Sequence, residues 1–499
     1  MATRDATSPR PSEEAEGLAY FGAFGVDEGM LRDAFAAALA RGADWAELYF
    51  EHRIAHHLAF EDGAVSRAHL SASLGVGVRV VCKDQTGYAY TEELSRARVR
   101  EAAAAAAVIA QGPPRDGPTG FRIEPSAQRY RAETAWEDVD ERGKLAILTR
   151  AAERAFASDP RIVKVRVSLD HSQGAVLVAD STGRVRFDRQ PMGRLAVSCT
   201  GESAGQREVG AYNLAGREGL EFFDTARVER AARLAAERTG FLFEAEAAPA
   251  GEFPVVLAAG SAGILLHEAI GHGMEADLNR KGVSVYSSRL NTAIAPADVT
   301  IVDDGTLPGS RGSINVDDEG VDGQATVLVE QGRLRTYMHD RISAAHYGVE
   351  PTGNGRRQSF RHPPLPRMRN TYMLPGPQAP EEIIASVKRG LYAQTFTNGQ
   401  VRIGAGDFTF YVKTGYWIED GRLTRPIKDA NLIGSGPECL ERTVMVGSDL
   451  VHDETGWVCG KDGQSVPVSL GMPTVKVSAL TVGGVNRAAR SGGGISAAG

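Results

Sequence analysis

The sequence predicts an α+β protein in which helix and antiparallel-sheet modules precede a mostly antiparallel β C-terminal domain. Two segments with helical spacing of apolar residues, near 27–41 and 142–157, are each followed by runs that alternate apolar and polar residues. The second half consists mainly of such strand-like runs, separated by turn signals. It also contains a helix near 381–388 and one chemically distinctive helix from about 260 to 279.

Turn signals and composition divide the chain into five parts. The proline pair after Gly112 marks one boundary, and the segment 247–254, rich in alanine and proline, marks another. Both ends of the chain are small and polar, which is typical of tails without fixed structure. The predicted parts are a disordered tail at 1–22, an N-terminal α/β module at 23–113, a central α+β module at 114–250, a C-terminal β-rich domain at 251–483 and a flexible tail at 484–499.

The bulk composition is that of an ordinary globular protein. Of the 499 residues, 42% are hydrophobic and 24% are charged. A net charge of −7 leaves no basic surplus to neutralise phosphates, so we expect no nucleic-acid partner. Four cysteines without a Cys-x-x-Cys pair, and a first segment without an apolar signal, predict a cytoplasmic protein. No apolar run is long enough to predict a membrane span.

One helical segment, at 265–275, reads Leu-Leu-His-Glu-Ala-Ile-Gly-His-Gly-Met-Glu. Neutral imidazoles are common zinc ligands, and a neighbouring carboxylate can accept a proton from a water molecule at the metal. The segment therefore predicts a metal-dependent hydrolase site, with His267 and His272 as zinc ligands and Glu268 as the catalytic carboxylate.

The spacing of the two histidines differs from that of the usual zinc helix, where they are four residues apart. Five residues on a straight helix separate two side chains by about 140°, against about 40° for four. We therefore predict a π-type bulge or a helix end near His272, where Gly271 and Gly273 make irregular backbone sterically easy. Two alternatives stay open: the histidines are buried and only hydrogen-bonded, or Glu268 is itself a ligand together with His272.

A catalytic zinc usually has three protein ligands and an open position for water, so a third ligand must come from another segment. Cys459 is one candidate, because neighbouring glycines permit close approach and a thiol can bind as thiolate. The alternatives are His452, His339, His346 and Cys439.

Two acidic features near these motifs have simpler interpretations. Glu275 and Asp277 could orient the histidines, but exposed helix carboxylates are the favoured interpretation. The acidic stretch 317–322 does not have the spacing of an EF-hand loop, so it predicts a turn rather than a calcium site.

Several separate blocks together resemble the TldD/PmbA family of metallopeptidases, in particular its TldD-like branch. The match is densest between about 250 and 480. The blocks lie at 267–280, 312–320, 366–374, 432–436 and 459–468.

The resemblance implies a zinc ion held by His267, His272 and Cys459, with Glu268 as the catalytic residue. It implies peptide substrates, namely small or unfolded polypeptides, and a dimer that is either a homodimer or a heterodimer with a PmbA/TldE-like paralogue. The PmbA-like branch lacks the histidine motif, so the motif here favours the catalytic role. The alternative is a non-catalytic binding or assembly subunit of a peptidase complex.

Overall fold

The computed structural model describes residues 13–130, 132–402 and 405–484. Most strand pairs in it are antiparallel, and helices pack beside the sheets, which confirms the α+β class. Residues 1–12 and 485–499, which belong to the two predicted tails, lie outside the described residues. None of the helices described is long and apolar enough to cross a membrane.

The described residues of the first half form five α-helices and eight strands. Three of the helices, Glu28–Leu39, Glu141–Ser158 and Thr225–Glu244, are capped by Asp27, Asp140 and Asp224, each of which accepts a backbone N–H group from the first turn. In chain order the elements are α1 (Glu13–Gly22), α2 (Glu28–Leu39), β1 (Trp45–Glu61), β2 (Ala64–Cys82), β3 (Gln85–Thr91), α3 (Arg96–Ala106), β4 (Arg122–Ile123), α4 (Glu141–Ser158), β5 (Ile162–Asp180), β6 (Arg184–Ser203), β7 (Gln206–Gly216), α5 (Thr225–Glu244) and β8 (Glu246–Ala247).

Seven of these strands form one sheet, in the order β3-β2-β1-β5-β6-β4, with β7 paired to β6. Strand β1 pairs antiparallel with both β2 and β5. Helices α2 and α3 share an apolar cluster with β1 and β2, whereas α4 and α5 share another with β5 and β6. Strands from the two predicted modules at 23–113 and 114–250 therefore lie in one continuous sheet.

Residues 13–22, which the sequence placed in the N-terminal tail, form helix α1. Phe21 is fully buried there, and its ring lies 5.9 Å from that of Phe50 on β1. Burial of a phenylalanine side chain contributes about 1.5–3 kcal/mol, which favours an ordered helix. The predicted tail is therefore too long. Its first residues are small and polar, and this composition obscured the apolar face of residues 13–22.

In the second half, the described residues form five α-helices and fifteen strands. In chain order they are β9 (Gly251–Leu257), α6 (Gly263–Leu266), α7 (Ala276–Arg280), β10 (Ile301–Asp304), β11 (Ala325–Glu330), β12 (Arg333–Leu334), α8 (Arg341–Tyr347), β13 (Gly355–Arg356), β14 (Leu365–Pro366), β15 (Asn370–Met373), α9 (Pro380–Ala385), β16 (Arg389–Arg402), β17 (Asp407–Glu419), β18 (Arg422–Lys428), β19 (Ala430–Ser435), α10 (Gly436–Glu441), β20 (Thr443–Val446), β21 (Val451–Lys461), β22 (Gln464–Met472) and β23 (Val475–Gly483).

Two sheets enclose the short helix α6. One has the order β12-β11-β10-β15-β22-β21, with β21 at its edge. The other has the order β16-β9-β23-β19-β17-β18-β8, and it closes into a ring because β16 also pairs with β17. Ile264 and Leu266 of α6 belong to the same apolar cluster as Leu470 of the first sheet and Phe410 of the second. The motif segment is therefore buried between two sheets.

Candidate metal centre

The backbone between α6 and α7 departs from α-helical geometry. His267–Gly271 form a π-turn, and His272–Met274 form a 3₁₀ turn. The backbone N–H of His272 donates to the carbonyl of His267, five residues earlier, so the two side chains come to lie on one face. Their ring centroids are 5.2 Å apart. The predicted distortion of this helix is confirmed.

Close packing explains why glycines occupy this segment. Gly271 has ordinary helical dihedrals, with φ at −60°. A Cβ atom added to it would lie 2.1 Å from the sulfur of Met368, and one added to Gly273 would lie 2.8 Å from the ring of Tyr286. These glycines therefore provide space for neighbouring side chains rather than a special backbone conformation.

Edge strand β21 brings Cys459 to the two histidines. The Cys459 sulfur lies 3.6 Å from Nε2 of His272. One potential ligand atom from each of His267, His272 and Cys459 lies within 4.8 Å of the other two. All three residues are buried, with at most 1% of their surface exposed. Two nitrogens and a sulfur thus converge inside the domain.

The four alternatives to Cys459 lie in other surroundings. His339 contacts the ring of Tyr347, His452 contacts that of Tyr372, and His346 is on α8. Cys439 is buried on α10. Within the described ranges, the only group of three or more His, Cys, Asp or Glu side chains placed to hold a metal ion is the one that contains Cys459.

The imidazole of His267 has unused hydrogen-bonding capacity. Neither of its ring nitrogens has a hydrogen-bond partner, although the residue is 1% exposed. A buried polar group without a partner costs about 1–3 kcal/mol. This observation disfavours the alternative in which the histidines are merely buried and hydrogen-bonded, and it favours a ligand at this position.

A buried ion-pair network fixes the other histidine. Nδ1 of His272 lies 3.0 Å from Oε2 of Glu275, and Nζ of Lys461 lies 3.0 Å from the same oxygen. Lys461 also donates to Asp277 at 2.7 Å. Because Nδ1 is engaged, Nε2 of His272 is the nitrogen that faces the thiol.

The prediction of exposed carboxylates at Glu275 and Asp277 is therefore wrong. Their exposed fractions are 0% and 5%. The 3₁₀ turn before α7 redirects the chain, and β21 supplies Lys461 as the cation that makes burial of two carboxylates tolerable.

The electrostatic environment favours a thiolate at Cys459. Burial alone would raise the pKa of this thiol, but the facing imidazoles of His267 and His272 lower it well below its usual range. Burial would likewise lower the pKa of His272, yet Glu275 and Cys459 raise it well above its usual value. Coordination at this site would therefore require His272 to release a proton, since metals bind neutral imidazole.

Glu268 lies at the border of this cluster. One of its carboxylate oxygens is 3.9 Å from Nε2 of His272, and 20% of its side chain is exposed. It is not a member of the compact group formed by the two histidines and Cys459. The carboxylate is thus close to the converging donor atoms while still reachable by water.

The fold and the site define a class: α+β proteins in which a distorted helix and an edge strand bring together a buried His-His-Cys cluster. Family models match three segments of the chain. They are the PmbA/TldA metallopeptidase domain 1 at residues 46–110, the central domain at 135–239 and the C-terminal domain at 250–484.

Individual proteins support the same relationship. A metalloprotease TldD homolog of Haemophilus influenzae is 41% identical over 453 residues, which cover 89% of this chain and 94% of that protein. A zinc metalloprotease TldD homolog of Saccharolobus solfataricus is 38% identical over 236 residues, 47% of this chain and 52% of that protein. The structure of TldE from Thermococcus kodakarensis superposes with a TM-score of 0.70 at 18% identity, covering 88% of this chain and 97% of the other. The chain belongs to the TldD/PmbA family of metallopeptidases.

Proposed function

We propose that this protein is a zinc-dependent peptidase whose metal is held by His267, His272 and Cys459 and whose catalytic carboxylate is Glu268. The observation that carries the proposal is the convergence of three buried donor atoms within 4.8 Å, beside a partly exposed carboxylate. The description of relatives as metalloproteases, and of one as a zinc metalloprotease, supports it.

The residues present fit a zinc ion. A set of two imidazoles and one thiolate suits zinc better than the oxygen-preferring magnesium or calcium. The unsatisfied nitrogens of His267 and the lowered pKa of Cys459 both favour occupation by a cation. When bound, zinc supplies Lewis acidity, which polarises a peptide carbonyl and lowers the pKa of water.

Glu268 would perform the proton transfers. Its carboxylate accepts a proton from the water molecule whose oxygen forms a bond to the carbonyl carbon of the peptide. The same proton then passes to the amine nitrogen as the carbon–nitrogen bond breaks. A partly exposed position beside the histidines suits this role, since both water and substrate must reach it.

Small or unfolded polypeptides are the proposed substrates. Cys459 lies on β21, an edge strand that pairs only with β22 among the strands described. An extended peptide can add to such an edge through backbone hydrogen bonds, which would tolerate many sequences. The carbonyl oxygens of Trp457 and Cys459 already accept hydrogen bonds from Arg311 and Arg367, so an added peptide would bond to other backbone groups of β21.

We also propose that the protein acts in the cytoplasm as a dimer, with a second copy or with a TldE-like paralogue. Structural similarity to TldE supports a related fold for such a partner. The alternative function, a non-catalytic subunit of a peptidase complex, would use the same surfaces without hydrolysis.

Removal of metal tests the proposed function. We expect a chelator to abolish hydrolysis of an unfolded polypeptide and stoichiometric zinc to restore it, because the Lewis acid is needed for attack on the carbonyl. The assay follows new amino termini released from the substrate, with magnesium in place of zinc as the control. Hydrolysis that persists in protein shown to be metal-free would refute the proposal. If the protein binds zinc but hydrolyses no peptide, either by itself or mixed with the paralogue, the alternative function as a non-catalytic subunit is favoured.

Replacement of Glu275 by Gln is expected to weaken zinc binding about 10–100-fold, because Glu275 orients His272 and increases its basicity. Zinc affinity is measured by competition with a chromogenic chelator. Asp277→Asn is the matched control, since Asp277 also pairs with Lys461 but makes no described contact with His272. Equal zinc affinities in the two variants would contradict a positioning role for Glu275.

A further inference from the structure

A cavity of about 250 Å³ separates the long first-half sheet from the β21–β22 hairpin. Arg53 of β1 and Gln190 of β6 line it on the sheet side. Val458 and Pro467 line it on the hairpin side. Val458 precedes Cys459 on β21, and successive side chains of a strand point to opposite faces, so Val458 and the thiol face different ways. Val466, the neighbour of Cys459 across the hairpin, also lines the cavity, so the cavity adjoins the candidate metal centre without including its three candidate ligands.

Three arginines in the wall of this cavity have no acidic partner. Among the residues described, no carboxylate lies within 4.0 Å of Arg217, Arg311 or Arg356, although Arg217 and Arg356 are only 4% and 3% exposed. The hydrogen bonds that they donate end on neutral carbonyl groups. The Arg217 side chain donates to the backbone carbonyl of Arg311, and the Arg311 side chain donates to that of Trp457. The Arg356 side chain donates to the backbone carbonyls of Met368 and Pro467.

The remaining charges of the wall do not balance these arginines. Arg53 pairs with Glu51 at 3.2 Å, and Arg357 pairs with Glu47. Each of these pairs is neutral as a unit. The lining charges outside these two pairs are those of Arg217, Arg311 and Arg356 and of two aspartates.

Asp317 and Asp318 also line the cavity, but backbone groups hold them. Asp317 accepts the N–H groups of Glu319 and Val321 at 2.9 and 2.8 Å, within the turn predicted for this stretch. Asp318 accepts the N–H group of Arg357 at 2.7 Å. Among the lining side chains outside the ion pairs, three arginines therefore face two aspartates, while Asp188 and Asp170, outside the lining, oppose the charges of Arg217 and Arg311.

The pKa values of the arginines report the same imbalance. Burial, together with the positive charges of Arg194 and Arg217, lowers the pKa of Arg311 to about 10. Burial and the charge of Arg217 lower the pKa of Arg356 to about 10. A guanidinium normally titrates above 12, so the opposing charges of Asp170 on Arg311, and of Asp318 and Cys459 on Arg356, do not offset burial and the neighbouring guanidinium groups.

We propose that this cavity binds an oxyanion, a phosphate or carboxylate group, through Arg217, Arg311 and Arg356. Guanidinium groups present planar sets of donors that match the paired oxygens of both anions. The volume is below that of pockets for drug-sized ligands, which favours a small ligand or the end group of a larger one. The site connects the sheet of the first half to the hairpin that carries Cys459, and it does not depend on the proposed peptidase activity.

Calorimetric titration of the full, zinc-loaded protein tests the proposal, with inorganic phosphate as the probe and chloride holding the ionic strength constant. We expect one phosphate per chain. Arg311→Gln should weaken binding at least about tenfold, because one charged donor is lost. Arg207→Gln, on the same sheet but exposed and paired with Glu202, should leave it unchanged.

Two further ligands distinguish the sources of the anion. If the natural ligand is a carboxylate, acetylglycine displaces phosphate and acetylglycinamide does not. If it is a phosphate compound, neither ligand displaces phosphate. Both results support an oxyanion site and differ only in the source of the anion.

Two outcomes would overturn the proposal. The first is that neither phosphate nor acetylglycine binds at millimolar concentration. The second is that Arg311→Gln binds phosphate as tightly as the unchanged protein, which is the result expected if phosphate binds to the zinc ion instead. If Arg311→Gln fails to fold, the unchanged protein is tested by chemical modification. Phosphate should protect Arg311 from modification by phenylglyoxal, and mass spectrometry measures the modified fraction. Equal modification of Arg311 with and without phosphate would then refute the site.

Discussion

Replacement of Glu268 by Gln should reduce peptide hydrolysis about 10²–10⁴-fold while zinc remains bound. The amide has the size of the carboxylate but cannot accept a proton from water, so the general acid–base contribution is lost. Glu268 lies outside the compact group of three ligand atoms, and metal retention is therefore expected. Turnover of an unfolded polypeptide and zinc content of the same sample are the two measurements.

A surface glutamate provides the control for this variant. Glu438 on α10 is half exposed and pairs with Arg442, so Glu438→Gln should leave both hydrolysis and zinc content unchanged. Loss of zinc from Glu268→Gln would instead assign Glu268 as a ligand. Unchanged turnover would remove it from the mechanism altogether.

Replacement of Cys459 by Ala should lower zinc content from about one ion per chain to near zero, and hydrolysis should fall below detection. The substitution removes the only sulfur of the ligand set and leaves two imidazoles, too few for a tightly held catalytic zinc. Zinc that binds only the folded state raises the melting temperature. We therefore expect zinc to raise the melting temperature of the unchanged protein and not that of the variant.

Cys439 allows a matched comparison, since it is another buried cysteine without a described contact to either histidine. Cys439→Ala makes a similar small cavity and should retain zinc and hydrolysis. A Cys459→Ala protein that still binds zinc with unchanged affinity would rule out the thiol as a ligand.

The sequence carried most of the information about the motif helix. The five-residue spacing of His267 and His272 required a departure from the α-helix, and the structure has a π-turn at that position. The helical spacing of apolar residues near 27–41 and 142–157 was enough to predict α2 and α4. Helices α8 and α10 were missed because seven and six residues are too few for a periodic pattern.

The surroundings of the motif could not be predicted, because they depend on contacts between distant segments. Nothing near Glu275 indicates that Lys461 will face it, so burial of that carboxylate had no local signal. Pairing of β1 with β5 similarly joins two segments that a proline pair and a long loop separate. The arginine cavity depends on the same kind of contact, since Arg217 follows β7 in the first half of the chain and Arg356 lies on β13 in the second half.

The position of Cys459 on β21 also sets the order of assembly in the cell. A ribosome releases His267 and His272 long before the strand that carries the thiol, and β22 and β23 must follow before both sheets around α6 are complete. Under the proposed ligand set, a nascent or truncated chain offers only two imidazoles, too few for a tightly held zinc. We therefore expect metal acquisition to follow the synthesis of β21.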